Sequence, residues 1–383
     1  MASSIYIHLP FCKTKCPYCD FASFADQDKQ KQMLYFQALK NEIKARLPVA
    51  TKKANLKTIF FGGGTPSIHE ANEIEEVLNL LKEYFNFDDD IEITLEANPG
   101  TVEEKKLLEF KKIGINRLSL GVQTFDEELI SYLARGHSVE EAKAIIELVK
   151  SIGFKSWSLD LIYGLPHQNL EQWINSIEIA LSYDPPHISS YALSIEDNTP
   201  FGKIYENSKH KDLPTENSVV DMYYKLDELL EKHNLERYEI SNWAQAGHQA
   251  QHNLCYWRAQ EYYAFGLSAH GYINKKRYAN TKIFQQYLEN FKSLQENISE
   301  DFVLDDDEVI EYVTYEKSIE EQILLQLRLT EGLKLSPENL VFIDQGKLDK
   351  YLDMAYLKQE DNRLFLTKKA LMISNNIIFE LIK

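Results

Sequence analysis

The chain has 383 residues, 44% hydrophobic and 26% charged, with 59 Asp and Glu against 42 Lys and Arg and a formal charge of -17. That length allows one large domain plus a smaller one; no run reaches the roughly 20 apolar residues of a membrane span, and the opening "MASSIYIHLPF" lacks the regions of a secretory signal, so the expected compartment is cytoplasmic. The acidic balance disfavours nucleic acid, which is held by clustered Lys and Arg, and four cysteines in so long a chain exclude a disulfide scaffold.

The first predicted strand, "IYIHLPF" (5–11), runs into "CKTKCPYCDF", where Cys12, Cys16 and Cys19 stand as CxxxCxxC. A zinc site needs four ligands, and no second pair follows. A redox CxxC from Cys16 to Cys19 leaves Cys12 unexplained. An iron-sulfur cluster takes such thiolates readily, and three of them on four irons leave one iron open. The spacing resembles the signature of the radical S-adenosylmethionine superfamily. That resemblance implies a [4Fe-4S] cluster whose open iron takes the amino and carboxylate groups of S-adenosylmethionine, and a partial (β/α) barrel around it.

Chain order supports such a barrel. A helix with Met33, Phe36, Leu39, Ile43 and Leu47 on one face follows the cysteine loop, then a strand "KTIFFGG" (57–63) and a helix with Ile74, Val77, Leu78 and Leu81. Further β-rich runs are "IEITLEA" (91–97), "NRLSLGVQ" (116–123), "KSWSLDLIY" (155–163) and "HISSYALS" (187–194). Six βα units make an α/β fold, a partial (β/α)6 TIM-like barrel over residues 1–225, whose chemistry belongs at the C-terminal strand ends. There "FGGGTPS" lets the backbone approach a ligand closely, and it lacks the pattern of a dinucleotide or Walker loop.

Beside the cysteines, Gly63, Gly64 and Thr65 resemble the superfamily's GGE-type motif, which contacts the amino group of S-adenosylmethionine. Glu96, Gln123, Arg135 and Asp160 stand at or just past strand ends; carboxylates suit ribose hydroxyls and an arginine fork suits a carboxylate. Together they match the cofactor pattern of oxygen-independent coproporphyrinogen III oxidases and their relatives, as do Tyr6, Tyr18 and Ala192.

In residues 226–300, a small α+β region, "HNLCYW" places His252, Tyr256 and Trp257 together, a composition suited to a metalloporphyrin or to an aromatic core. HNxxYW resembles an element of HemW-type haem chaperones, which makes His252 the candidate axial ligand of haem iron, with Tyr256 and Trp257 beside the ring. Cys255 reads as a small buried thiol. Arg258, Lys275, Lys276 and Arg277 are candidates for haem propionates.

From 301 to 383 an acidic stretch, "SEDFVLDDDEV", gives way to a helix with Ile319, Ile323, Leu324 and Leu327, broken at Gly332. The remainder resembles a helical, winged-helix-like C-terminal domain without a basic recognition helix.

Three functions compete: a haem chaperone, a coproporphyrinogen III oxidase, and a radical enzyme with another substrate. The oxidases carry a further cysteine two positions after the third, where this chain has Phe21, and a longer segment before the first cysteine, where only eleven residues stand. The expected function is therefore haem carriage to an acceptor, such as a membrane-associated respiratory haem protein, by a monomer or dimer.

Overall fold

Strands with apolar residues at every second position need cover on that face, and helices between them supply it. In a computed structural model of the chain, describing residues 2–26, 28–48, 53–205, 211–293, 297, 299, 301–304 and 308–383, β1 (Ser4–Leu9) leads to β2 (Phe11–Cys12). That short strand pairs with β3 (Phe24–Ala25) before helix α1 (Lys29–Arg46). Alternation then continues through β4 (Ala54–Gly63), α2 (Ala71–Tyr84), β5 (Phe85–Ala97), α3 (Glu104–Lys112) and β6 (Arg117–Gln123). After α4 (Glu127–Tyr132) and α5 (Val139–Ile152) come β7 (Ser156–Tyr163), α6 (Leu170–Ser182) and β8 (His187–Ala192). Each of the six βα runs read from the sequence forms its strand, and β1, β4, β5, β6, β7 and β8 pair in parallel in that order.

Helix ends follow local chemistry. Ser138 with Glu141 and Asn169 with Gln172 form capping boxes at α5 and α6, and Gly153 takes the left-handed cap that ends α5. Ile74, Val77, Leu78 and Leu81 of α2 are buried as their spacing predicts. On α1 the stripe is shifted: Met33 is 67% exposed, and Gln32, Glu42 and Arg46 are buried beside Phe36, Leu39 and Ile43. Periodicity in hydrophobicity misses this face because Glu42 and Arg46 are buried against polar partners.

Those partners come from the next part of the chain. After α7 (Pro200–Ile204) and α8 (Glu216–Lys232), β9 (Glu236–Glu239) and β10 (Asn242–Ala244) extend the sheet antiparallel beyond β8. Helix α9 (Gln251–Trp257) precedes β11 (Tyr263–Phe265), a seventh parallel strand on the free edge of β1. A small antiparallel sheet follows, of β12 (His270–Ile273), β13 (Lys276–Ala279) and, after α10 (Phe284–Asn290), β14 (Val309–Tyr312). Residues 305–307 of the acidic stretch lie outside the described residues.

Glu42 on α1, fully buried, accepts hydrogen bonds from the Gly266 N–H at 2.8 Å, the Tyr287 hydroxyl at 2.6 Å, the Asn280 amide at 2.7 Å and Arg46 Nε at 3.2 Å. These donors fasten β11 and the small sheet to the barrel.

The C-terminal part has its own core. Helices α11 (Tyr315–Gln326), α12 (Pro337–Phe342) and α13 (Gln345–Asp353) pack with β15 (Leu333–Lys334), β16 (Leu357–Glu360), β17 (Arg363–Leu366) and α14 (Ser374–Leu381). Ile319, Ile323 and Leu327 lie inside it, and Gly332 takes a positive φ after α11. Among the described residues no helix is long and apolar enough to cross a membrane.

Removing one partner of a buried, hydrogen-bonded ion pair leaves the other uncompensated. Glu42→Ala should therefore lower unfolding stability by about 3–5 kcal/mol in a denaturant titration. A loss under about 1 kcal/mol would show that the network holds nothing together.

Candidate functional site

The cysteine loop and the glycine loop are stitched to each other by backbone. Gly64 N–H donates to the Leu9 carbonyl and Thr65 N–H to the Phe11 carbonyl, both at 2.8 Å. A Cβ on Gly64 would stand 2.6 Å from the Phe11 carbonyl oxygen, and Gly63, at φ +113°, leaves the same lack of room against the His8 ring. Only glycine fits this approach. His8 closes the far side: its Nδ1 is 3.0 Å from the Tyr6 hydroxyl and its Nε2 is 2.9 Å from the Ala22 carbonyl oxygen.

Cys12, Cys16 and Cys19 are free thiols lining one cavity. Among the described residues, no three His, Cys, Asp or Glu side chains converge as ligands of a single metal ion. A cluster makes a different demand, because each thiolate takes its own iron. The same cavity is lined by Tyr18, Gly63, Gly64, Thr65, Glu96, Gln123, Arg135 and Asp160. Tyr6 and Ala192 are not among the lining residues: Tyr6 stacks on Phe60 and bonds His8, while Ala192 is exposed at the strand end and its neighbour Tyr191 lines the cavity instead.

Strand alternation explains the lining. Ser119 and Gly121 share the inner face of β6, and Ser119 donates to Asp160 at 2.7 Å. Gln123 has a left-handed φ of 71° at a register shift against β7, so the strand end is bent where its amide meets the cavity. Arg135 Nη2 donates to the Gly121 carbonyl at 2.8 Å, and Nη1 points to the Tyr18 hydroxyl at 3.4 Å and the Cys16 sulfur at 3.6 Å. Its Nε is buried and unpartnered among the described residues. Sequence reading missed Ser119, Tyr191 and His8; the period of two from Gly121 would have found Ser119.

Burial, joined by the negative charge of Asp160, pushes the Glu96 carboxyl up to about 7. Burial also pushes Asp160 up to about 6, against the hydrogen bonds from Ser119 and Ser158. Two carboxyl groups kept from water in one cavity call for a cationic ligand.

The HNxxYW segment is placed elsewhere. Glu92 of β5 accepts the backbone N–H groups of Gln251 and His252, at 3.1 and 3.0 Å, and so sets the start of α9. His252 is 1% exposed, stacks on Phe60 and has both nitrogens occupied, Nδ1 at 2.8 Å from the Thr58 hydroxyl and Nε2 at 2.7 Å from the Tyr256 hydroxyl. Burial pushes its pKa down to about 3. Both ring nitrogens have protein partners in this conformation, so the pattern specifies a residue type and not its surroundings. Trp257 packs with Tyr238, Leu254 and Leu329. Tyr256 does reach a cleft, described below. Cys255 is buried, as expected. Arg258 is held bidentate by Glu331 at 3.0 and 3.1 Å, Arg277 is paired with Glu311 and Glu321, and Lys276 lies over the Tyr312 ring.

Residues 6–180 match the family model of the Radical SAM superfamily. Heme chaperone HemW of Haemophilus influenzae is 40% identical over 293 residues, covering 74% of this chain and 75% of that protein. Heme chaperone HemW of Buchnera aphidicola subsp. Schizaphis graminum is 34% identical over 380 residues, covering 98% of this chain and 97% of its own. The chain belongs to the HemW family. Its fold is that of coproporphyrinogen III oxidase (HemN) from Escherichia coli, with a TM-score of 0.82 at 22% identity over 98% of this chain and 89% of that one.

Radical SAM membership implies a [4Fe-4S] cluster and S-adenosylmethionine. The donor set fits both: three free thiols on one loop, a glycine cradle that a Cβ would fill, an unpartnered arginine nitrogen, and two half-buried carboxyl groups lining the cavity, suited to a cationic sulfonium and ammonium.

The raised carboxyl values fix a sign. Between about pH 4.5 and 7 the folded protein keeps a proton on Glu96 that the unfolded chain releases, so this group's contribution to apo-protein stability falls as pH rises through that window. Glu96→Gln should therefore raise the apo melting temperature at pH 7.5 while weakening S-adenosylmethionine binding at least about tenfold, a loss of about 1.4 kcal/mol. Calorimetry at pH 6 and 8 checks both; wild-type binding should strengthen with pH, and an affinity unchanged by Glu96→Gln would remove the carboxylate from the site.

Proposed function

We propose that this protein binds haem and hands it to an acceptor protein, with Cys12, Cys16 and Cys19 holding a [4Fe-4S] cluster next to bound S-adenosylmethionine. The observation that carries the reading is Phe21. Where the oxidases have a cysteine, this chain has a phenyl ring 67% exposed beside the cluster loop. A thiol there can ligate or exchange hydrogen; a phenyl ring can do neither but offers a flat apolar face. Relatives across the full chain length carry the name heme chaperone, which supports the same reading.

Within the cofactor cavity the residues divide the work by chemistry. The Gly63 and Gly64 backbone and Thr65 suit the amino group, Glu96 and Asp160 suit ribose hydroxyls and positive charge, and Arg135 suits the carboxylate. Tyr18 and Gln123 bound the remaining space. When bound, the cluster supplies one electron at a time to S-adenosylmethionine. The protein's part is to hold the two in register and limit water, and Glu96, Asp160 and Tyr18, half-buried, stand around that space. The acceptor fitting this role is a haem protein such as a membrane-associated respiratory one, met from the cytoplasmic side.

Anaerobic reconstitution followed by haem titration, a transfer assay to an apo haem protein, and an assay with coproporphyrinogen III test the reading together. Stoichiometric haem binding with onward transfer and no porphyrinogen conversion is expected. Robust conversion to protoporphyrinogen would overturn it.

A further inference from the structure

A second cleft of about 650 Å³ adjoins the cofactor cavity along the cysteine loop. Its size lies in the range of roughly 300–1,000 Å³ typical of organic ligand sites. Lys15, Phe21 and Ser23 line both spaces, so the loop is their common wall. Tyr256 of the HNxxYW segment forms part of the cleft's other wall, and its hydroxyl is held by His252 at 2.7 Å.

Three histidines stand on or behind this cleft, and two are committed. His8 is 5% exposed with both nitrogens engaged by Tyr6 and Ala22, and His252 is engaged by Thr58 and Tyr256. His270, at the first position of β12, is exposed, lines the cleft, and makes no hydrogen bond among the described residues. Partial burial, then the nearby Lys282, lowers its pKa, which favours the neutral imidazole that iron requires. Lys282 and Lys15 bring two positive charges to the cleft and Asp20 one negative, a net positive balance in a chain of formal charge -17. Lys15 also donates to the Phe21 and Ser23 carbonyls, at 3.2 and 2.9 Å.

We propose that this cleft is the haem seat, with His270 as the axial iron ligand, Phe21 and Tyr256 as apolar walls for the macrocycle, and Lys282 and Lys15 as partners of the propionates. The assignment rests on the haem-carrier reading and changes the ligand within it. His252 becomes a positioning residue, acting through the Tyr256 hydroxyl. No redox step is involved: a neutral imidazole nitrogen donates its lone pair to an open iron position.

Hemin titration of the full chain, followed by absorption and electron paramagnetic resonance, tests this. The wild type should give an imidazole-ligated spectrum. His270→Ala, a change at an exposed position, should keep the wild-type melting temperature, weaken hemin binding at least about tenfold, a change worth about 1.4 kcal/mol, and lose the imidazole-ligated signature, with added free imidazole restoring it. His252→Ala should lower the melting temperature and leave the ligand signature of its folded fraction unchanged. Lys282→Glu should weaken binding without altering the signature. A wild-type spectrum and affinity in His270→Ala would overturn the placement alone, as would loss of the ligand signature in well-folded His252→Ala. Failure of the wild type to bind hemin at all would overturn the haem-carrier reading and this placement with it.

Discussion

One buried carboxylate sets the geometry on which both cavities depend. Glu42 has no water to solvate it and is tolerable only because four donors converge on it. One of those donors is the backbone of Gly266, immediately after β11, and two are side chains from the segments that follow. Satisfying the charge therefore draws β11 onto the edge of β1, in the register Ile5 to Tyr263, Tyr6 to Ala264 and Ile7 to Phe265. Gly266 then lies so close to the His8 carbonyl that a Cβ would stand 2.5 Å away. A hydrogen-bond account on α1 thus fixes where α9 and β12 sit relative to the cysteine loop.

From that register follows the placing of charge on either side of the cysteine loop. The barrel mouth gathers two carboxyl groups, Glu96 of β5 and Asp160 of β7, on either side of β6, and sets Arg135 with Lys13 and Lys15 of the cysteine loop around the same cavity. The cleft that shares this loop is lined by Lys15 and Lys282 against Asp20, beside the imidazoles of His8 and His270. A sulfonium calls for carboxyl groups and the dianionic porphyrin proposed for the cleft would call for cations, and the cysteine loop carries Lys15 at the boundary of both spaces. The net acidity of the chain is compatible with this, because binding responds to the few charges inside a Debye length of the site and not to the total.

How much of this was legible in the sequence follows from which signals are local. The six parallel strands are local: apolar runs with helical stretches between them. The three-residue β11 is not, since "YAF" becomes a strand only when β1 offers an edge and Glu42 a place to anchor. Buried Glu42 and Arg46 on α1 read as surface residues because most of their partners are far along the chain. At the cofactor cavity, eight of the ten residues carried over by resemblance are lining residues, and Tyr6 and Ala192 are not. A strand neighbour faces the other way, so a shift of one position changes which cavity a residue lines. At HNxxYW the residue types suit a metalloporphyrin while the surroundings of His252 supply both of its partners from inside the protein. Ligand type is a sequence property, but a free lone pair is a property of packing.

The exposed phenyl ring carries the proposed distinction between haem carriage and porphyrinogen oxidation. Burying a phenyl side chain is worth roughly 1.5–3 kcal/mol, and at 67% exposure Phe21 leaves most of that unrealised. Nothing in the fold withdraws it. Lys15 holds the Phe21 carbonyl and His8 the carbonyl of Ala22, so the backbone is fixed with the ring standing out at the edge shared by both cavities. Such a loop is costly for a protein that only needs to close over a small cofactor. It is economical for one that offers a flat apolar surface to a flat apolar ring and must later release it, because part of the ring's burial energy is gained on loading and returned on transfer. A cysteine at position 21 would add a group able to ligate or exchange hydrogen next to the cluster; phenylalanine offers neither chemistry and leaves only contact.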